Sequence, residues 1–103
     1  MRVTHWQKRS PPSVPELKRL LAGEGLDCYE WKDDPGTRYG EHTHSYDEIR
    51  WVVTGTLCLT VSGKRYLLAP GDRLDLPANT SHSAEVVGNE AVTYLCASTA
   101  PEI

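Results

Sequence analysis

A succession of short β-type segments constrains the fold of this chain more than any other feature. From Leu26 onward, valine, threonine, tyrosine and tryptophan recur with period two, in short runs broken by glycine, proline or asparagine. Such runs predict strands over residues 26–33, 37–43, 47–54, 56–62, 64–69, 72–76, 81–87 and 91–98. Regularly spaced short strands without intervening helices are typical of an antiparallel sandwich or barrel.

The first 25 residues follow a different pattern. Two consecutive prolines indicate an extended arm, and Ser13, three residues before Glu16, forms a capping box that begins a helix. One apolar face of this helix is formed by Leu17, Leu20 and Leu21. A helix so short is not stable alone, so we expect it to cover an open end or edge of the barrel. The sequence therefore predicts an N-terminal arm and helix over residues 1–25 and a barrel domain over residues 26–103.

The composition excludes several functional classes. With 103 residues the chain forms one domain with one modest core, and its net charge of -3 offers no basic surface for nucleic acid. No apolar run reaches the ~20 residues of a membrane-spanning helix, and the first ten residues lack the apolar core of a signal peptide. We therefore expect no nucleic-acid or membrane partner and a cytoplasmic location. The three cysteines are widely spaced, which predicts free thiols in the core.

Three of the four histidines and one glutamate have the spacing of a metal site. His42 and His44 are two residues apart, so on a strand both project to one face and can reach one ion. The next three residues are turn-prone, which allows the chain to return Glu48 to that ion. If the strand of His82 pairs beside the first, His82 completes a set of three nitrogens and one oxygen. These ligands suit Fe, Mn, Ni, Zn and Cu, so we predict one divalent transition metal ion.

This pattern resembles the two motifs of the cupin family. The first is glycine, five residues, His-x-His, three or four residues, glutamate, six residues and glycine, and its fixed positions are occupied by Gly36, His42, His44, Glu48 and Gly55. In the second, three fixed positions are occupied by Gly71, Pro77 and His82. Asn79 replaces a glycine there and Val86 replaces an asparagine. Asparagine is a mild change, because it enters left-handed backbone conformations more readily than other non-glycine residues.

The resemblance covers about residues 26–98 and implies a fold and a ligand set. It implies an all-β double-stranded β-helix, the jelly-roll barrel of cupins, here with a short N-terminal helix. It also implies frequent homodimers and a metal held by His42, His44, Glu48 and His82.

Two further residues are candidates for contacting a substrate. Arg50 lies two positions after Glu48 and shares its inward face, where a buried guanidinium needs a partner. It either pairs with Asp75, which we favour, or receives a substrate carboxylate. Tyr39 flanks the histidine pair and is predicted to line the pocket with its ring; the alternative, which we favour for most aromatic residues of this chain, is that the ring fills the barrel or a dimer interface.

Two functional classes remain open at this stage. The first is a mononuclear metalloenzyme acting on a small oxygen-bearing molecule, as a dioxygenase, isomerase or lyase. The alternative is a non-catalytic module that binds or senses a small molecule. Cupins include both classes, so the family alone does not choose between them.

Overall fold

The computed structural model describes residues 1–99 and contains one helix and nine strands in that range. The helix α1 spans Val14–Gly23. The strands are β1 Arg2–Thr4, β2 Cys28–Asp33, β3 Arg38–His42, β4 Asp47–Thr54, β5 Thr56–Val61, β6 Lys64–Leu68, β7 Arg73–Leu76, β8 His82–Val87 and β9 Val92–Thr99. The eight strands expected from residue 26 onward are all present, each with its ends within two residues of the prediction.

The strands form two antiparallel sheets. One has five strands in the order β1-β7-β4-β9-β2, and the other has four in the order β3-β8-β5-β6. Their facing sides bury mainly aliphatic side chains, among them Val52, Leu57, Leu59 and Leu74. Alternation along each strand puts every second residue into this core. The arrangement is that of a jelly-roll barrel, which confirms the predicted fold class.

The strand β1 was not expected from the sequence. Val3 pairs with Leu74 of β7, so the N-terminal segment adds an outer strand to the five-stranded sheet. Three residues carry too little local signal to predict a strand, and β1 forms because β7 would otherwise be an open edge. The N-terminal segment that was predicted to be an extended arm therefore begins as the edge strand of the five-stranded sheet.

The helix begins as predicted but packs elsewhere. The Ser13 hydroxyl accepts a hydrogen bond from the backbone N–H of Glu16 at 3.3 Å, as in a helix N-cap. Leu17 and Leu21 are fully buried, whereas Leu20 is 43% exposed and lies outside the apolar stripe. The two buried leucines pack with Ile49, Trp51, Val53, Leu95 and Ala97. The helix thus covers the outer face of the five-stranded sheet, not an end or edge of the barrel.

The structure tests the predictions about the cysteines and about membrane-spanning helices, but not those about location and dimerisation. All three cysteines are free, with Cys58 and Cys96 buried and Cys28 half-buried. Among residues 1–99, no helix is long and apolar enough to cross a membrane. The cytoplasmic location and the homodimer stay predictions.

The turn at Ser62 and Gly63 joins β5 to β6 as the sequence predicts. Both residues have positive φ, 51° and 76°, which is the conformation of a type I′ hairpin turn. The strand pairs on either side are in register from Val61 with Lys64 onward.

Gly55, between β4 and β5, has a steric role that can be tested. A Cβ at this position would lie 2.5 Å from the carbonyl oxygen of Ala91 and 2.8 Å from the Cα of Val92, and the φ is +79°. We expect Gly55→Ala to lower the free energy of unfolding by at least about 2 kcal/mol, because the backbone of β9 must move. Urea denaturation followed by circular dichroism measures this.

Gly63→Ala is the matched control for Gly55→Ala. Its φ of +76° is similar, but no atom lies within 4 Å of the added Cβ. Only the left-handed strain of about 1 kcal/mol applies there. Equal losses in the two variants would show that the close approach to β9 does not explain the requirement for glycine.

Candidate metal centre

The three predicted histidines meet where β3 pairs with β8. His42 at the end of β3 lies opposite His82 at the start of β8, and His44 follows two residues later. One ring nitrogen from each of the three lies within 4.8 Å of the others. His82 can join the other two histidines only if β3 and β8 are neighbours, and the structure contains this strand pair.

The loop before His82 is hydrogen-bonded to the loop after His44. The backbone N–H of Asn79 donates to the carbonyl oxygen of His44 at 2.7 Å, and the N–H of Ala78 donates to Asp47 Oδ1 at 2.8 Å. Asn79 has a φ of 63°, the left-handed conformation expected where it replaces glycine. These contacts hold the two motifs together.

Hydrogen bonds orient the three imidazoles. His42 Nδ1 lies 2.6 Å from the carbonyl oxygen of Gly40, and His82 Nδ1 lies 2.9 Å from that of Thr80. A carbonyl only accepts, so Nδ1 carries the hydrogen in both rings, and in a neutral ring of this form Nε2 has the free lone pair. His44 Nδ1 instead lies 3.2 Å from the Tyr46 hydroxyl. The chain thus fixes two imidazoles in the form that binds a metal through Nε2.

His82 is the most buried of the three. It is 1% exposed, and its Nε2 has no hydrogen-bond partner. Burial lowers the pKa of His82, so at pH 7 the ring is neutral and its lone pair is available. An unpartnered buried nitrogen costs free energy unless something binds to it.

Glu48 lies beside this group and is turned partly away from it. Its Oε1 accepts a hydrogen bond from Arg50 Nε at 2.5 Å. Its Oε2 lies 3.1 Å from His44 Nε2, but without hydrogen-bond geometry, and it is buried without a partner. The ring nitrogens of the three histidines lie within 4.8 Å of one another, and Glu48 contributes no oxygen to this group.

The favoured pairing of Arg50 with Asp75 is wrong. Arg50 pairs with Glu48, and Asp75 accepts hydrogen bonds from Arg73 at 3.1 Å. Asp75 lies opposite Ile49 in the ladder between β4 and β7, so its side chain is on the outer face while Arg50 points inward. Although burial acts to lower it, the Glu48 carboxylate raises the pKa of Arg50 above its ordinary value.

A cavity of about 240 Å³ lies next to the histidines. It is lined by five aromatic side chains, by two of the histidines and by three other residues: Tyr29, Trp31, Tyr39, Tyr46, Tyr94, His42, His44, Glu48, Arg50 and Cys96. Arg50 is 8% exposed, its Nη1 is buried without a partner, and its Cζ lies 5.7 Å from the centroid of the Tyr94 ring. The cavity thus joins the histidines to a guanidinium group.

Tyr39 is among the residues that line this cavity, and its hydroxyl is already engaged. The hydroxyl donates to Asp33 Oδ1 at 2.8 Å and accepts from Trp31 Nε1 at 3.3 Å. Asp33 was missed in the sequence, because Asp33-Asp34-Pro35-Gly36 has the composition of a turn. Nothing local distinguishes a buried aspartate there from an exposed one.

Comparisons with known proteins agree with this geometry. The family model of the cupin domain matches residues 29–98. This chain is also similar to acireductone dioxygenases from Serratia proteamaculans and Alcanivorax borkumensis. They are 33% and 35% identical to it over 81 residues, 65% of this chain. The chain spans less than half of their length, 45% in each case. The solved structure of KdgF from Halomonas sp. is 30% identical, with a TM-score of 0.60 over 70% of this chain and 67% of that one. With its jelly-roll sheets and its histidine group, this chain belongs to the cupin family.

Proposed function

We propose that the chain holds one divalent transition metal ion through His42, His44, His82 and Glu48, and acts as a mononuclear metalloenzyme on a small oxygen-bearing molecule. The observation that carries this proposal is a pair of buried, unpartnered lone-pair atoms, His82 Nε2 and Glu48 Oε2, beside two further imidazoles. A cation satisfies both atoms at once.

The donor set fits such an ion. Imidazole nitrogen and carboxylate oxygen bind Fe, Mn, Ni, Zn and Cu, and the cell's supply decides which is taken. Glu48 Oε2 already lies 3.1 Å from His44 Nε2, and a rotation of the Glu48 side chain would bring it to an ion held by the three nitrogens. When bound, the ion would supply Lewis-acid polarisation of a substrate oxygen or, as iron, dioxygen chemistry.

The cavity supports the substrate-binding roles of Arg50 and Tyr39. Arg50 Nη1 is an unpartnered N–H donor among cavity-lining residues, which suits an anionic oxygen of a substrate. Tyr39 contributes ring surface, because its hydroxyl already has partners. Glu48 also lines the cavity, so its carboxylate, once detached from the ion, can accept a proton from a substrate bound there.

The relatives favour one reaction class for the first assay. Two proteins named acireductone dioxygenase match this chain at 33% and 35% identity. We therefore place oxygen-dependent turnover before isomerase and lyase reactions.

Turnover by metal-loaded protein tests the proposal. Protein loaded separately with Fe²⁺, Mn²⁺, Ni²⁺ or Zn²⁺ is incubated with an acireductone and with other small hydroxycarbonyl compounds, while oxygen consumption and product formation are followed. We expect turnover with at least one redox-active metal and none in the metal-free protein.

The control for this assay is His82→Gln, which removes a ligand at a similar side-chain size and should abolish turnover. If the protein binds small molecules but shows no turnover with any of the four metals, the result would contradict the proposed enzymatic function and favour the sensing module.

A further inference from the structure

Asp33 is a buried carboxylate behind the wall of the cavity. It is 8% exposed, and it does not line the cavity itself. Its Oδ1 accepts hydrogen bonds from Trp31 Nε1 at 3.0 Å and from the Tyr39 hydroxyl at 2.8 Å. Its Oδ2 accepts from the Tyr94 hydroxyl at 2.9 Å. One side chain thus holds three of the five aromatic residues of the wall.

These hydrogen bonds determine what the wall presents to a ligand. The polar hydrogens of Trp31, Tyr39 and Tyr94 all point to Asp33, so the three side chains offer ring surface to the cavity. The Tyr94 ring also lies against the Arg50 guanidinium, at 5.7 Å from its Cζ. Asp33 therefore positions three aromatic side chains of the wall, including the Tyr94 ring beside Arg50.

The unpartnered atoms indicate the charge of the ligand. Among the buried side-chain atoms of residues 1–99 that lack a partner, Arg50 Nη1 is the only N–H donor with no acceptor, and the other two are the lone pairs assigned to the metal. Two carboxylates, Asp33 and Glu48, and one guanidinium leave one net negative charge, which a divalent ion turns into one net positive charge. A single negative charge on the ligand balances the site.

We propose that Asp33 is a positioning residue which, by holding the aromatic wall, makes this site select a small flat monoanion, such as a conjugated carboxylate. The inference rests on the proposed metal site and names its ligand class. The cavity volume of about 240 Å³ equals roughly eight water molecules at about 30 Å³ each. A carboxylate on a single six-membered ring fits into this cavity volume.

Three probes of similar size separate charge from shape. Benzoate is flat and anionic, cyclohexanecarboxylate is anionic but puckered, and benzamide is flat but neutral. Their binding to the full chain loaded with Zn²⁺, which has no redox chemistry, is measured by calorimetry. Metal content is determined on the same samples.

The wild type is expected to prefer the flat anion. Benzoate should bind about tenfold or more tightly than benzamide, because the neutral amide can accept a hydrogen bond from Arg50 but cannot form an ion pair with it. It should bind roughly two- to tenfold more tightly than cyclohexanecarboxylate, because only a flat ring stacks on the wall. In Asp33→Asn, where the amide NH2 cannot accept the hydrogen bond from Tyr94, the preference for flat over puckered should fall, while zinc content stays unchanged.

Asp34→Asn is the matched control, since Asp34 is an exposed neighbour with the same chemistry, and both preferences should persist in it. If Asp33→Asn does not fold, Tyr94→Phe replaces it, because it keeps the ring and removes one hydrogen bond to Asp33. A partial fall in the flat-over-puckered preference is then expected. A folded variant of either kind that keeps the full preference overturns the inference.

The two proposals fail in different ways. Zinc-loaded wild type that does not prefer benzoate contradicts the ligand class and leaves the metal site standing. Wild type that holds no zinc contradicts the proposed function, and this inference with it.

Discussion

Replacing His42 or His44 with alanine is expected to remove the bound metal. Each variant loses one of three convergent nitrogens, so the metal content should fall from about one equivalent per chain to a small fraction of that. The affinity loss should be at least about 100-fold, since changes to residues that merely orient metal ligands already cost 10–100-fold. Elemental analysis of protein purified without chelator measures the content, and circular dichroism confirms the fold.

His5→Ala is the control for these variants. His5 is exposed, and its Nδ1 lies 3.2 Å from Asp72, so it lies outside the group of three. Its replacement should leave the metal content unchanged. Metal retained in the His42→Ala, His44→Ala double variant, or lost equally in His5→Ala, would contradict the assigned site.

Arg50→Met is expected to destabilise the metal-free protein strongly. Arg50 and Glu48 are 8% and 7% exposed, and the variant leaves the Glu48 carboxylate buried without its partner. Breaking a buried ion pair by removing one member costs about 3–5 kcal/mol. Urea denaturation gives the loss in free energy of unfolding. Added metal should recover part of it, because a cation then takes the place of the guanidinium beside Glu48.

Two comparisons make this result specific. The double variant Arg50→Met, Glu48→Gln should lose less than Arg50→Met alone, since no buried charge is left unpaired. Arg38→Met removes a more exposed pair, Arg38 with Glu85 at 3.3 Å, and should cost under about 1 kcal/mol. If Arg50→Met is no more harmful than Arg38→Met, the Glu48 pair does not stabilise the fold.

Local patterns were sufficient to predict most of the fold. Period-two runs and turn residues predicted the strands from residue 28 onward. Ser62 and Gly63 form the predicted turn, which requires a positive φ at both residues. The capping box gave the start of α1 for the same reason, since Ser13 and Glu16 contact each other within one turn. Each of these features is decided by residues close together in the chain.

The features that the sequence did not reveal depend on distant partners. Three residues form β1 only because β7 offers an edge, and Leu20 is exposed because the helix turns Leu17 and Leu21, but not Leu20, toward the outer face of the sheet. The partner of Arg50 depends on the register that pairs Ile49 with Asp75. No local pattern encodes these contacts.

The candidate site also contains residues that local spacing predicts and residues that only distant contacts reveal. The spacing of His42, His44 and Glu48 along one segment was visible, and His82 required only that β3 and β8 be neighbours. Asp33 was invisible, because its donors lie two, six and 61 residues away and only two of them are in the same part of the chain.

Anomalous diffraction at the absorption edge of the bound metal tests the central claim most directly. We predict one ion per chain, at about 2.0–2.2 Å from the Nε2 atoms of His42, His44 and His82 and from a carboxylate oxygen of Glu48. An ion bound elsewhere on the chain, or a coordination sphere without these imidazoles, would contradict it.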